Sequence, residues 1–205
     1  MSPHPLELWS LANLPKWLAC ALSLLVRLAA SCLFAISFLA AILITRAVWQ
    51  ADWPLHRYDA LVIIALGLQA LFIATKLETL EEARVILIFH LTGSMMEWFK
   101  VSAGSWAYPE PGLLKLFGVP LFTGFMYASV GSTIARALRL FEIRLAPAPP
   151  YWAIATLAVA IYVNFWSHHY LPDARLVLFA ATLLFFGRTK LWFRLIDQWL
   201  WVPVP

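Results

Sequence analysis

Apolar residues run almost unbroken through about six stretches of this chain, near 17–45, 60–75, 84–103, 113–138, 151–166 and 174–186, the last one short, and the polar residues collect between them. A helix rises about 1.5 Å per residue and a bilayer core is about 30 Å thick, so about 20 such residues make one crossing. The pattern therefore predicts an all-α fold: a polytopic transmembrane helical bundle of about six spans, forming a single integral membrane domain over 1–205. The segment 191–205 is rich in Trp and ends in Pro-Val-Pro, and it reads as an interfacial segment or a truncated span.

Composition points the same way. With 62% hydrophobic and 13% charged residues and a mean hydropathy of +0.78, the chain lies far outside the globular average, which excludes a soluble domain and leaves the bilayer as solvent. A cleaved signal peptide does not fit the first stretch, because Arg27 interrupts its apolar core and apolar sequence continues well past Cys32. Cys20 and Cys32 lie on one predicted helix, about 18 Å apart along its axis, too far for an intrachain disulfide.

Charge sets an expected orientation. With a cytoplasmic N-terminus the inner segments hold Lys16, Lys76, Arg84, Arg136, Arg139, Arg144, Arg188, Lys190 and Arg194, while the outer ones hold Arg46, Arg57, Lys115 and Arg175, as the positive-inside rule favours. The net charge of +4 is then accounted for by topology, with Arg136, Arg139 and Arg144 as an anchor, and no nucleic-acid partner is expected.

Within this apolar frame the stretch His90 to Tyr127 carries the candidate chemistry. A charged side chain at bilayer centre costs about 2.5–3.5 kcal/mol on insertion scales, so such residues turn inward and mark a site. Lys100 has a stem long enough to snorkel, whereas Glu97 is too short and must find partners. His90, Gly93, Ser94, Glu97, Val101 and Gly104 share one helical face by their spacing. The following loop, GSWAYPEPG, adds Trp106 and Tyr108 as aromatic walls and Glu110 as a second carboxylate, the combination an acid/base site for an apolar substrate needs. Plainer readings stay open: Glu97 as a structural brace bridged to Lys100 or to an Arg of another helix, His90 as an interior histidine, and the aromatics as an interfacial belt. Gly124, Ala128 and Ser132 recur at four-residue spacing and invite close helix packing, and Pro120 is expected to kink the helix that bears them.

Asn164, His168 and His169 stand near Asp173 at the end of the fifth stretch, as an interfacial polar cap or a proton-transfer group. Adjacent histidines on a helix diverge by about 100°, and no paired His or Cys motif occurs, so no metal is expected. No phosphate-cradling glycine loop, dinucleotide fingerprint or nucleophile elbow occurs either, and no cofactor is expected.

The segments GSMMEWFKVSAGSWAYPE, GVPLFTGFMYASVGS and NFWSHHYLPDAR resemble the bacterial integral membrane family of domain of unknown function 817, from about the second stretch to the end of the sixth. The resemblance implies a multi-pass protein of the bacterial inner membrane, brings no activity with it, and implies further hydrophobic sequence with another acid beyond Pro205. A looser likeness, resting on Glu97, the aromatic loop and Gly118-Val119-Pro120-Leu121, is to membrane carotenoid hydratases, which add water to isoprenoid double bonds without a redox cofactor. It implies that Glu97 gives and takes the proton while Trp106 and Tyr108 wall the chain.

The expected function is a cofactor-independent membrane enzyme acting on an isoprenoid or other lipid, with Glu97 as general acid/base assisted by Glu110, His168 and His169. His90, Ser94, Lys100, Trp106, Tyr108, Tyr127 and Asn164 would bind substrate. A small-solute or proton-coupled transporter, and a structural or assembly subunit, are the alternatives. The lipid bilayer is the expected partner, and a homo-oligomer stays open.

Overall fold

The structure, a computed structural model, describes residue 9 and residues 12–205. Its helices are α1 (Lys16–Ser31), α2 (Leu33–Val48), α3 (Arg57–Ala74), α4 (Leu80–Ser102), α5 (Phe122–Leu140), α6 (Tyr151–Ser167) and α7 (Arg175–Phe186). Between and after them lie the strands β1 (Lys115–Leu116), β2 (Val119–Pro120), β3 (Arg144–Ala146), β4 (Lys190–Leu195) and β5 (Gln198–Pro203). The chain divides into two units, Leu24–Leu140 and Phe141–Pro205 with Met1–Ser23.

The first unit is organised by α4 and α5, an antiparallel pair. A capping box fixes the start of α4: Thr79 Oγ1 accepts from the Glu82 amide at 3.2 Å, and Glu82 Oε2 accepts from the Thr79 amide at 2.8 Å. The same Glu82 binds Arg139 of α5 at 2.6 Å, locking the register of the pair at that end. Small residues then let the helices meet. A Cβ at Gly93 would collide with the Tyr127 side chain, and one at Gly131 would lie 2.8 Å from the Phe89 ring. Against this pair α2 and α3 pack an aromatic core of Phe34, Phe38, Tyr58, Leu61, Phe72 and Phe125.

In the second unit α6 and α7 precede a three-stranded antiparallel sheet in the order β3-β4-β5. Its register pairs Leu191 with Val202 and Trp192 with Trp201, and Lys190 lies 3.9 Å from the Trp201 ring centroid. Aromatic and branched side chains suit a pleated surface, and alternate ones pair across strands. The segment expected to be interfacial or a truncated span is thus a β-hairpin with the Ile196-Asp197 turn at its tip.

The six-span, all-α bundle is overturned. Among the described residues only α3 is by itself long and apolar enough to cross a membrane, and α1 with α2 would make a second crossing if the pair, bent by 58°, acts as one. Each other stretch fails for a physical reason. At about 1.5 Å per residue α6 and α7, of 17 and 12 residues, reach about 26 and 18 Å, short of about 30 Å. The helices α4 and α5 are long enough, but the one carries His90, Thr92, Ser94, Glu97 and Lys100, and the other Thr123, Ser129, Ser132, Thr133, Arg136 and Arg139. The stretch at 113–138 begins not as a kinked helix but as the β1–β2 hairpin, because Pro120 cannot continue a helix through the Gly118 turn. The orientation counted over six crossings falls with them.

Even so, the helices turn much apolar surface outward. Leu39, Leu43 and Ile44 of α2, Ile63 and Leu66 of α3, and Leu87, Ile88 and Leu91 of α4 are all more than half exposed, and Leu176 and Leu184 of α7 are 80% and 85% exposed.

Candidate functional site

Glu97 sits on the buried face of α4 with 4% of its surface exposed. Beyond Ser102 the chain reverses at Gly104, whose φ of 70° suits a residue without a side chain, and Ser105 donates its amide back to the Lys100 carbonyl at 2.9 Å. The reversal folds the aromatic loop over the end of α4. Trp106 Nε1 and the Tyr108 hydroxyl donate to Glu97 Oε2 at 2.9 and 2.7 Å, and the Tyr127 hydroxyl, from α5, donates to Oε1 at 2.8 Å. One carboxylate thereby joins two helices and a loop, through an indole and two phenols that carry no charge.

Other polar groups of α3 hold that loop in place. Asp59, 2% exposed, accepts the amides of Leu113 and Leu114 at 2.9 and 2.7 Å. Arg57 makes a two-pronged ion pair with Glu110, at 2.8 and 2.6 Å. Lys115 Nζ donates to the carbonyls of Tyr108 and Glu110 at 2.8 and 3.2 Å. The Tyr108 ring meets Tyr58 and Phe122 edge-on. Burial first, and then the Glu97 carboxylate beside it, push the Tyr108 phenol above its usual range, so it stays a hydrogen-bond donor.

The loop ends in the β1–β2 hairpin, whose two turn residues, Phe117 and Gly118, both have positive φ, 50° and 82°. The hairpin and α4 enclose an apolar groove of about 310 Å³ between Leu91, Met95 and Trp98 on one side and Phe117 and Leu121 on the other. Ser94 also lines it, one turn from Glu97.

The structure brings together Glu97, Trp106, Tyr108 and Tyr127, and gives the other candidates different partners. Glu110 faces Arg57 instead of Glu97. His90 packs at 4.4 Å against Phe125, with its Nδ1 buried beside Gly124, and Ser94 donates to the His90 carbonyl at 2.8 Å. Lys100 is half-buried near the end of α4. Asn164, His168 and His169 belong to the other unit. There Asn164 donates to Asp173 Oδ1 at 3.1 Å and accepts the Ala174 amide at 2.8 Å, while His168 Nδ1 donates to the Phe165 carbonyl at 2.7 Å. The Asn164 hydrogen bond, more than the Arg175 amide and guanidinium, holds the Asp173 carboxyl below its usual range. These contacts make a turn that starts α7, and among the described residues no three His, Cys, Asp or Glu gather as a metal site.

A second buried polar cluster escaped the sequence reading. Glu78, in the connection before α4, accepts from Gln69 of α3 at 2.5 Å and from the Ser132 hydroxyl of α5, and lies 4.0 Å from Arg136. Arg136 is 3% exposed, not an interfacial anchor, and its Nε and Nη1, like Gln69 Oε1, lack a hydrogen-bond partner among the described residues. The only signal was four polar residues scattered over three elements, which no local spacing links.

Comparison with known proteins adds a family and no activity. The chain is 44% identical over 161 residues to "Uncharacterized protein YoaT" of Bacillus subtilis (strain 168), a match covering 78% of this chain and 60% of that protein. The chain thus spans about three fifths of the length of the curated relative it matches. No solved structure matches it, and the likeness to carotenoid hydratases is not shown by any of these matches. The family model described as "Protein of unknown function (DUF817)" matches residues 9–205, nearly the whole sequence, and the chain belongs to that family.

Proposed function

We propose that this is a membrane-embedded protein of the bacterial inner membrane whose Glu97 centre performs acid/base chemistry on an apolar, lipid-class substrate. The observation that carries this reading is the buried Glu97 carboxylate, held by Trp106, Tyr108 and Tyr127. A carboxylate gripped by hydroxyls and an indole can gain or lose a proton without abandoning a buried counter-charge, as general acid/base catalysis requires. Oε1 takes one of these three bonds and Oε2 two, so acceptor capacity remains on Oε1.

Two further features support it. The apolar groove beside Ser94 gives a lipid chain a place to lie one helical turn from Glu97. The outward apolar faces of α2, α3 and α4 would be costly in water and suit acyl tails.

Lipid analysis of a host strain tests the reading. Replacing the gene by a Glu97→Gln copy should reproduce the lipid change of a deletion while the protein is still made at normal level. If Glu97→Gln restores the normal lipid profile as well as the wild-type copy, the acid/base role is wrong and Glu97 is a brace.

A proton-coupled carrier is the second reading, favoured by the Glu78 cluster. Buried Glu78, just before α4, and Arg136 of α5 lie 4.0 Å apart, with His90 farther along the α4–α5 pair. Proton uptake by proteoliposomes that disappears in Glu78→Gln but survives Glu97→Gln would choose this reading over the first.

A further inference from the structure

A second concave site opens where α2 ends and α3 begins, within the first unit. It is a cavity of about 250 Å³ lined by Arg46, Trp49, Trp53, His56, Arg57 and Glu110. Its walls are built, not incidental. The Trp49 and Trp53 rings meet at 4.7 Å with their planes tilted by 58°, and Trp49 Nε1 donates to the Leu55 carbonyl at 3.2 Å, which fixes the connection between the helices.

The charges in this cavity do not balance. Glu110, its one carboxylate, is committed on both oxygens to Arg57. Arg46, in the last turn of α2, has no ion pair or hydrogen-bond partner among the described residues. A guanidinium in a concave, aromatic-walled site beside an imidazole offers donors from more than one direction. That arrangement suits a tetrahedral oxyanion better than a planar carboxylate, which presents only two oxygens. Size narrows the ligand further, since about 250 Å³ is below the 300–1,000 Å³ typical of sites for drug-sized molecules. The place matters too: α2 and α3 are the apolar helices, and their connected ends are where lipid phosphates would lie if these helices enter a bilayer.

We propose that the Arg46–Trp53–His56 cavity binds a phosphate group, either a phospholipid headgroup or a soluble phosphate, with Arg46 as its main contact. This site is independent of the chemistry at Glu97. It touches the loop that covers Glu97 through Glu110 and Pro111.

The test uses the full chain purified in detergent, with two probes. In one arm, inorganic phosphate is titrated by calorimetry; in the other, the protein is placed in phosphatidylcholine nanodiscs with and without phosphatidylglycerol, and bound phosphatidylglycerol is read by native mass spectrometry. Arg46→Gln should weaken binding about tenfold or more, the loss of one charge-assisted contact. Arg46→Lys should restore part of it, and Arg175→Gln, an exposed arginine of the other unit, should change nothing. A loss confined to the phosphatidylglycerol arm assigns a headgroup, and a loss with inorganic phosphate assigns a soluble ligand. No binding in either arm, or equal binding by wild type, Arg46→Gln and Arg175→Gln, overturns the site.

Discussion

The Tyr127 hydroxyl on α5 donates to Glu97 Oε1 on α4 across 2.8 Å, 30 residues apart in sequence, at the point where Gly93 lets the Tyr127 ring lie against the α4 backbone. The carboxylate and the glycine therefore act together: the missing Cβ brings the phenol near enough to reach the acid.

Removing that hydroxyl alone should be felt. Tyr127→Phe is expected to cost about 1.5–3 kcal/mol, as for other hydrogen bonds to charged groups. Glu97→Gln should cost less, since its oxygen can still accept from Trp106 and Tyr108 while its NH2 donates to a turned Tyr127 hydroxyl; Glu97→Leu, which strands all three donors, should cost most. Denaturant unfolding in detergent gives the order, and a Glu97→Leu protein as stable as Glu97→Gln would show that the hub does not hold the fold.

The glycines of this region should divide sharply. A Cβ at Gly124 would lie 2.6 Å from His90 Nδ1 and closer still to Ser94, and one at Gly93 would collide with the Tyr127 side chain, so Gly93→Ala and Gly124→Ala should each destabilise by about 1–3 kcal/mol through overpacking. Gly67, on α3, has nothing within 4 Å of the same position, and Gly67→Ala should stabilise by about 0.5–1 kcal/mol. Thermal unfolding of the three variants settles the sign of each.

At the Glu78 cluster the double substitution is the informative one. Arg136→Met leaves Glu78 buried without its cation, at a cost of about 3–5 kcal/mol, whereas Glu78→Leu with Arg136→Met should lose much less. Additive losses in a double-mutant cycle would mean that the two groups do not interact.

Tyr108 predicts an alkaline limit to the loop. Its phenol is raised in the folded protein by burial and by Glu97, while in the unfolded chain it titrates at about 10. The unfolded state therefore releases this proton first, so the stabilisation is whole below about pH 10 and is lost as pH rises through the folded value. Tyrosinate absorbance should lose one late-titrating phenol in Tyr108→Phe, and Tyr108→Phe should flatten the fall of stability above about pH 10. An unchanged pH profile in that variant would sink the assignment.

Much of the site was legible in the sequence, and for a physical reason. An acid as short as Glu97 within an apolar helix has few places to go but inward, and a loop dense in Trp, Tyr and Pro next to it is rigid enough to supply partners. Glu110 was misjudged because its closeness to Glu97 along the chain says nothing about Arg57, which lies 53 residues away and takes it. The span count failed because apolar residues in a row measure composition, whereas crossing a bilayer also demands unbroken helix of sufficient length, and the breaks at Cys32, Pro120 and Gly187 fall inside or just after the runs.

By itself, then, the sequence determined that this chain is far more apolar than the globular average, and that Glu97 must be buried among partners. Only the tertiary structure decided who those partners are. Tyr127 comes from another helix, Asp59 reaches the loop from 54 residues away, and Glu78 finds Ser132 across the same distance in sequence. Local pattern reports how strongly a residue avoids or needs water; which distant group meets that need is set by how helices cross, and that geometry is written in no single segment.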